Sequence, residues 1–282
     1  MASGRLLIGT SGWSYAAWRG DFYPDGLRQR DELRFLSERT TASEVNATFY
    51  RLQRPTTFQR WYDDAAPSHV LAIKGSRYVT HLKQLRDPLP GLANFFASGV
   101  LALRERLDVV LWQLPARLHC DPALLEEFLA VLPRTAGEAA ALAARHDDRL
   151  AADRTWLEPA DPGARIRHAL EPRHTSYGSP EALDVLSTHD VALVHSDSPG
   201  AWPVLEADTA SFRYVRLHGH STLYASRYSD RLLDTWAERC AAWSAAGVDV
   251  HVYFDNDARG HAPHDAVRLL QRLGAAPEPA SD

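Results

Sequence analysis

Charged and hydrogen-bonding side chains recur in this chain where an apolar run ends, the place where a strand hands over to a loop. Glu44 and Glu171 are carboxyls in such positions, and His218 is an imidazole in another. A carboxyl or imidazole near a reacting atom can take or return a proton, so these three are the candidate catalytic residues. Lys74, Arg173 and Arg216 are cations at comparable points. Arginine offers a planar fork of donors to a phosphate or carboxylate, and lysine a compact charge, so an anionic group is the expected ligand. Arg216 and His218 are two residues apart, and an extended strand puts both on one face. Gly219 follows them and is expected to let backbone approach the ligand closely. Asn46, Gln113, His174, Asn256 and Asp257 add polar groups at other strand ends. Trp13, Tyr15, Tyr50 and Tyr224 fall in post-strand loops, where rings can wall a pocket and stack on a sugar or base.

The opposing readings use the same residues. His174, His195, Asp197, His218, His220, Glu171 and Asp257 are ligand types for a divalent cation, as in a metal-dependent hydrolase or isomerase of a sugar phosphate or nucleic-acid end. His218 and His220 stand two residues apart, but there is no HExxH motif and several of these residues adjoin arginines, so no metal is expected. A barrel that only binds a ligand is the third reading. Burial of an unpaired charge is costly, which argues against so many polar groups serving the fold alone.

The side chains need a scaffold that gathers strand ends. Glu44 and Asn46 are expected to share one face of a strand that continues into an exit loop through residue 50. Further strands are expected near residues 6–10, 70–74, 108–114, 166–171, 191–195, 212–217 and 248–254. Helices are expected near 31–39, 55–64, 92–106, 122–131, 135–149, 179–186, 230–246 and 264–273. No helix is evident in residues 196–211, so the sixth βα unit is irregular. Eight alternating units in 282 residues point to a single (β/α)8 TIM-type barrel of the α/β class. It is expected to occupy residues 1–274, with residues 275–282 as a frayed C-terminal tail. In such a barrel the site lies at the C-terminal ends of the strands.

Composition narrows the partners. A formal net charge of −5 gives no basic footprint for nucleic acid. No apolar run is long enough to cross a membrane and no signal-peptide pattern opens the chain, so a cytoplasmic location is expected. Cys120 and Cys240 are the two cysteines, which leaves no ligand set for an iron–sulfur cluster. Lysine is confined to Lys74 and Lys83.

Several stretches together resemble the YecE-like family, also called domain-of-unknown-function family 72. They are Ile8-Gly9-Thr10-Ser11-Gly12-Trp13-Ser14-Tyr15, Glu44-Val45-Asn46-Ala47-Thr48-Phe49-Tyr50, Lys74 to His81 and Gln113-Leu114-Pro115. Glu171 with Arg173-His174, Arg216-Leu217-His218-Gly219 and Tyr253-Phe254-Asp255-Asn256-Asp257 complete the set. The resemblance implies a (β/α)8-type barrel and no particular reaction. Asp255 stands where the family favours Asn, and Tyr177 where it favours Trp. The expected activity is general acid/base chemistry on a small anionic (phosphate- or carboxylate-bearing) or sugar-like molecule, with no cofactor.

Overall fold

A computed structural model describes residues 2–275. Of the expected tail, residues 276–282 lie outside the described residues.

Nine strands form one sheet in which every pairing is parallel. They are β1 (Leu6–Ser11), β2 (Ala42–Val45), β3 (Val70–Lys74), β4 (Leu107–Gln113) and β5 (Arg167–Glu171). After them come β6 (Val191–Leu193), β7 (His195–Asp197), β8 (Phe212–Leu217) and β9 (Asp249–Phe254). The order is β6-β5-β4-β3-β2-β1-β9-β8-β7. Its two ends are the two halves of one segment, residues 191–197, interrupted at Val194. Val194 still donates its N–H to Leu170 O at 2.9 Å, whereas β7 pairs with β8. One segment thus crosses from β5 to β8 and brings the sheet round into a barrel, the α/β architecture expected from the strand count.

The helices are α1 (Glu32–Ser37), α2 (Ala47–Tyr50), α3 (Pro55–Asp64), α4 (Leu89–Ala97), α5 (Pro122–Ala130), α6 (Ala136–Ala143), α7 (Pro180–Thr188), α8 (Asp230–Ala245) and α9 (His261–Leu273). Local chemistry sets their starts. Asp121, Ser179 and Ser229 accept N–H bonds at the first turns of α5, α7 and α8, and Thr135 with Glu138 closes a capping box on α6. The helix expected over residues 92–106 is broken. α4 stops at Ala97, Gly99 takes φ 120°, and tighter turns follow over Val100–Arg106. A Cβ on Gly99 would sit 2.7 Å from Pro55 Cα, so close packing on α3 requires the glycine.

Strand alternation sorts side chains into an outer and an inner set. Outward residues such as Ile73, Val110, Trp112 and Leu170 pack with Phe58, Phe95 and Phe128 beneath the helices. Ile8, Val215, Val252 and Phe254 do the same with Leu233 and Leu269. Inward residues Leu7, Ala42, Ala72, Val109, Leu111, Ala169, Ala192, Phe212, Tyr214 and Tyr253 fill the middle of the barrel. Burying each large apolar side chain contributes roughly 1.5–3 kcal/mol. That plug leaves charged layers at either end. At the strand starts, Arg5 bonds Asp249 at 2.9 Å and Asp108 at 3.0 Å, and Arg167 bonds Asp249 at 2.8 Å.

One local expectation is corrected. β2 ends at Val45, and Asn46, at φ −82° and ψ −21°, opens the single-turn helix α2. Asn46 therefore does not share a strand face with Glu44. The turn is fixed by Thr48, whose hydroxyl donates to Lys74 O at 2.7 Å and ties α2 to the end of β3.

Candidate active site at the barrel mouth

The inward position at each strand's C-terminal end carries the chemistry. β1 supplies Ser11, β2 Glu44, β3 Lys74, β4 Gln113, β5 Glu171 and β8 Arg216; His218 and Asp255 follow just past β8 and β9. Arg216 is the centre, with a side chain only 1% exposed. Its Nε donates to Glu44 Oε2 at 3.0 Å and its Nη2 to Glu44 Oε1 at 2.7 Å. Nη1 reaches both Glu171 oxygens, at 3.0 and 2.9 Å, and Nη2 reaches Asp255 Oδ2 at 3.1 Å. The cation place between three carboxylates is filled by a guanidinium. Among the described residues no group of three or more His, Cys, Asp or Glu side chains is arranged to hold a metal ion.

His218 is buried between two of the same carboxylates. Nδ1 lies 2.9 Å from Asp255 Oδ2 and Nε2 lies 2.9 Å from Glu171 Oε1. Both ring nitrogens face carboxylate oxygens, an arrangement that favours the doubly protonated imidazolium. Burial and Arg216 press its pKa down, yet the bonds to Asp255 and Glu171 prevail and raise it above the ordinary value. Burial pushes the Glu171 carboxyl up, but Arg216 and His218 outweigh it and hold it well below its usual range. Asp255 is lowered in the same way, by Arg216 and His218 against burial. Glu44 is saturated: besides Arg216 it accepts from Ser11 Oγ and, at 2.7 Å, from Tyr214 Oη.

Above this network opens a cavity of about 630 Å3, lined by Tyr15, Asn46, Phe49, Tyr50, Lys74, Arg77, His81, Gln113, Arg173, Arg216, Tyr224, Asp255 and Asp257. Arg216 and Asp255 are already paired. What remains is three cations, Lys74, Arg77 and Arg173, against the single carboxylate of Asp257. Lys74 is 8% exposed and has no carboxylate within 4.0 Å among the described residues; its Nζ sits 4.7 Å from the Phe49 ring centre. Arg173 reaches Glu171 only at 3.9 Å and stacks 3.8 Å over Trp202. His81 reports the resulting field. Burial, then Lys74, Arg77, Arg173 and Arg117, push its pKa down to about 4 although the ring is only partly buried. Burial and the nearby Arg216 lower Lys74 to about 8, against the pull of Glu44, Glu171 and Asp255. Burial and Asp255 raise Asp257 to about 6, although the Tyr15 hydroxyl opposes the rise.

The expected site residues divide into three groups. Tyr15, Asn46, Tyr50, Lys74, Gln113, Arg173, Arg216, Tyr224 and Asp257 line the cavity. Glu44, Glu171 and His218 lie beneath it, each fully buried. Trp13, His174 and Asn256 sit elsewhere. Trp13 packs edge-on against Trp61 at 5.7 Å, in an adjoining groove that shares Tyr15 and Asn46 with the cavity and is lined by Arg30, Arg51 and Arg60. His174 accepts the Ser176 N–H, capping a short turn, and stacks on His119 at 3.8 Å. The Asn256 amide nitrogen is spent on Asp265 Oδ2 and Ser226 O, both at 2.9 Å. The freedom of Gly219 serves its own turn rather than a ligand: it has φ 97°, and a Cβ would meet Thr222 O at 2.6 Å.

Other members carry no strong mark in the sequence. Ser11 and Tyr214 are legible only by counting two residues along a strand from Gly9 and from Arg216. Arg77 and His81 come from a wide turn after β3 that reads as plain loop. Trp202, from the helix-free segment after β7, donates its N–H to Ser196 Oγ at 3.0 Å and packs edge-on over His218 at 5.1 Å.

A family model described as a protein of unknown function, DUF72, matches residues 7–282. The UPF0759 protein YunF of Bacillus subtilis (strain 168) is 22% identical, over 95% of this chain and 94% of that one. A DUF72 family protein from Thermotoga maritima MSB8 superposes with a TM-score of 0.73 at 23% identity, covering 96% of this chain and 99% of the other. Another from Enterococcus faecalis V583 gives 0.72 at 14% identity, covering 98% of each chain. At these identities the likeness carries the fold.

Proposed function

The chain belongs to the DUF72 family, and we propose that it is an enzyme acting on a small anionic substrate by general acid/base chemistry at the barrel mouth. One observation carries this reading: Lys74, Arg77 and Arg173 face one cavity with almost no opposing carboxylate. Cations that outnumber the carboxylates facing a pocket attract a carboxylate or phosphate. Arg173, already oriented by Trp202, offers its fork to such a group, and Lys74 adds charge from below.

The proton-transfer role falls to Asp257. Its carboxyl, raised to about 6, gives and takes a proton near neutral pH. Glu171 is held too strongly ionised to act as an acid, and His218 has no free nitrogen to act as a base. Glu44, Glu171 and His218 are therefore read as positioning residues that fix Arg216 and Asp255 and set the field of the pocket.

The test is thermal unfolding with inorganic phosphate or pyruvate at constant ionic strength. Saturating ligand at about a hundredfold its Kd stabilises by roughly 2.7 kcal/mol, a rise of several degrees. The wild type is expected to show it, and the double variant Arg77→Ala/Arg173→Ala to lose it. No rise with either anion contradicts the reading.

A further inference from the structure

We propose that Lys74 is a nucleophile that forms a covalent imine with a small carbonyl compound bearing an anionic group, a 2-oxo acid being the simplest member of the class. The proposal rests on the anion-binding reading above and gives it a reaction. Lys74 sits at the C-terminal end of β3, nine-tenths buried, and lines the mouth cavity. Burying an ammonium without a counter-ion is unfavourable. Here no carboxylate lies within 4.0 Å of it among the described residues; the near groups are the Phe49 ring and, through space, the Arg216 charge. A lysine that only held the fold would pair with Glu44 or Glu171, yet Arg216 occupies both carboxylates. Lys83 is the contrast: it is more exposed and paired with Asp87 at 3.5 Å.

Burial without a counter-ion lowers the pKa to about 8, so Lys74 stays mainly cationic near neutral pH while an appreciable fraction is the free amine that can attack. The Nζ lone pair attacks the carbonyl carbon, the C–N bond forms, and the C=O π pair passes to oxygen. A proton moves from nitrogen to that oxygen, giving a neutral carbinolamine. The hydroxyl then leaves as water with a proton from the Asp257 carboxyl. The products are a protonated imine and the Asp257 carboxylate, so charge and atoms balance with no oxidant or cofactor. Arg77 and Arg173 line the same cavity and would hold the substrate's carboxylate.

The composition makes the test direct, because the chain has two lysines. The protein is incubated with pyruvate or glyoxylate, reduced with sodium borohydride, and examined by intact mass and peptide mapping. One reduced adduct on Lys74 is expected, with Lys83 unmodified and labelling lowered by excess phosphate. Lys74→Arg, checked for folding by circular dichroism, is expected to lose it. An adduct on Lys83 or the α-amino group alone, or no adduct with either probe, overturns the proposal. The two readings separate cleanly. If phosphate and pyruvate still raise the melting temperature while Lys74 is never trapped, the anion site stands and the imine falls. If neither is seen, both fall.

Discussion

Both ends of this barrel carry a layer of charge, yet they are built to different rules. At the strand starts, Arg5 and Arg167 share Asp108 and Asp249 between them, and every charge there has an opposite partner. At the strand ends, Arg216 is enclosed by Glu44, Glu171 and Asp255, and His218 bridges the last two. Around that neutralised centre the mouth adds Lys74, with no carboxylate within 4.0 Å among the described residues, the exposed Arg77, and Arg173, which reaches Glu171 only at 3.9 Å. The strand-start layer closes one end of the barrel, while the strand-end layer supports a pocket that is electrostatically incomplete. Charge at a barrel end therefore does not by itself mark a site; what sets the mouth apart is a buried lysine without a counter-ion facing a cavity.

The largest expected effect breaks the mouth network. Arg216→Met leaves the buried Glu44 without a cation and Glu171 and Asp255 with His218, and losing one partner of a buried pair typically costs about 3–5 kcal/mol. A fall in melting temperature of roughly 10 °C or more is expected, measured by calorimetry. Arg167→Met at the opposite end should cost less, about 1–2 kcal/mol, because Asp249 keeps the half-exposed Arg5. Equal losses would mean that the two layers are not different in kind.

Stability against pH sharpens the same contrast. His218 has a raised folded pKa, so its contribution is complete below the ordinary histidine value near 6.5 and disappears as pH rises through the folded value. His69, His168 and His251 are buried neutral, and burial lowers them to about 4, 3 and 4. Their contribution is present above about 6.5 and is lost as pH falls, on the order of 3 kcal/mol each once pH is below both values. Unfolding free energy should therefore decline on the acid side through these three rings and through His81, Glu171 and Asp255 at the mouth, whose pKa values are also lowered. On the alkaline side it should decline through His218. His218→Gln should remove the alkaline decline and keep the part of the acid limb that comes from His69, His168 and His251, as followed by denaturant titration across pH. The smallest effect on stability is expected from Lys74→Met, within about 1 kcal/mol of the wild type, because it removes a buried amine that has no counter-ion.

The scaffold was legible because apolar runs and helix caps are local signals. β8 and α3 fall where alternation, proline and apolar spacing put them. Glu44, Glu171 and Arg216 stood out as charges on otherwise apolar strands. The strand-start layer escaped notice because Asp108, Arg167 and Asp249 look like ordinary charged residues flanking strands, and only barrel closure brings them together. Asn256 and Asp257 show a second limit. They are neighbours, but past the end of β9 alternation no longer applies, and one turns to Asp265 while the other turns to the cavity. Trp202 lies in a helix-free stretch whose path no periodicity reveals.

The direct test of the central claim pairs one variant from each end. Thermal unfolding of Lys74→Met and Arg167→Met is recorded with and without phosphate and pyruvate. If the mouth reserves its cations for a ligand, Arg167→Met melts lower but keeps the full ligand-induced rise. Lys74→Met should then melt with the wild type and lose most of that rise. A Lys74→Met protein that melts as low as Arg167→Met, with the ligand-induced rise unchanged in both, would contradict the account.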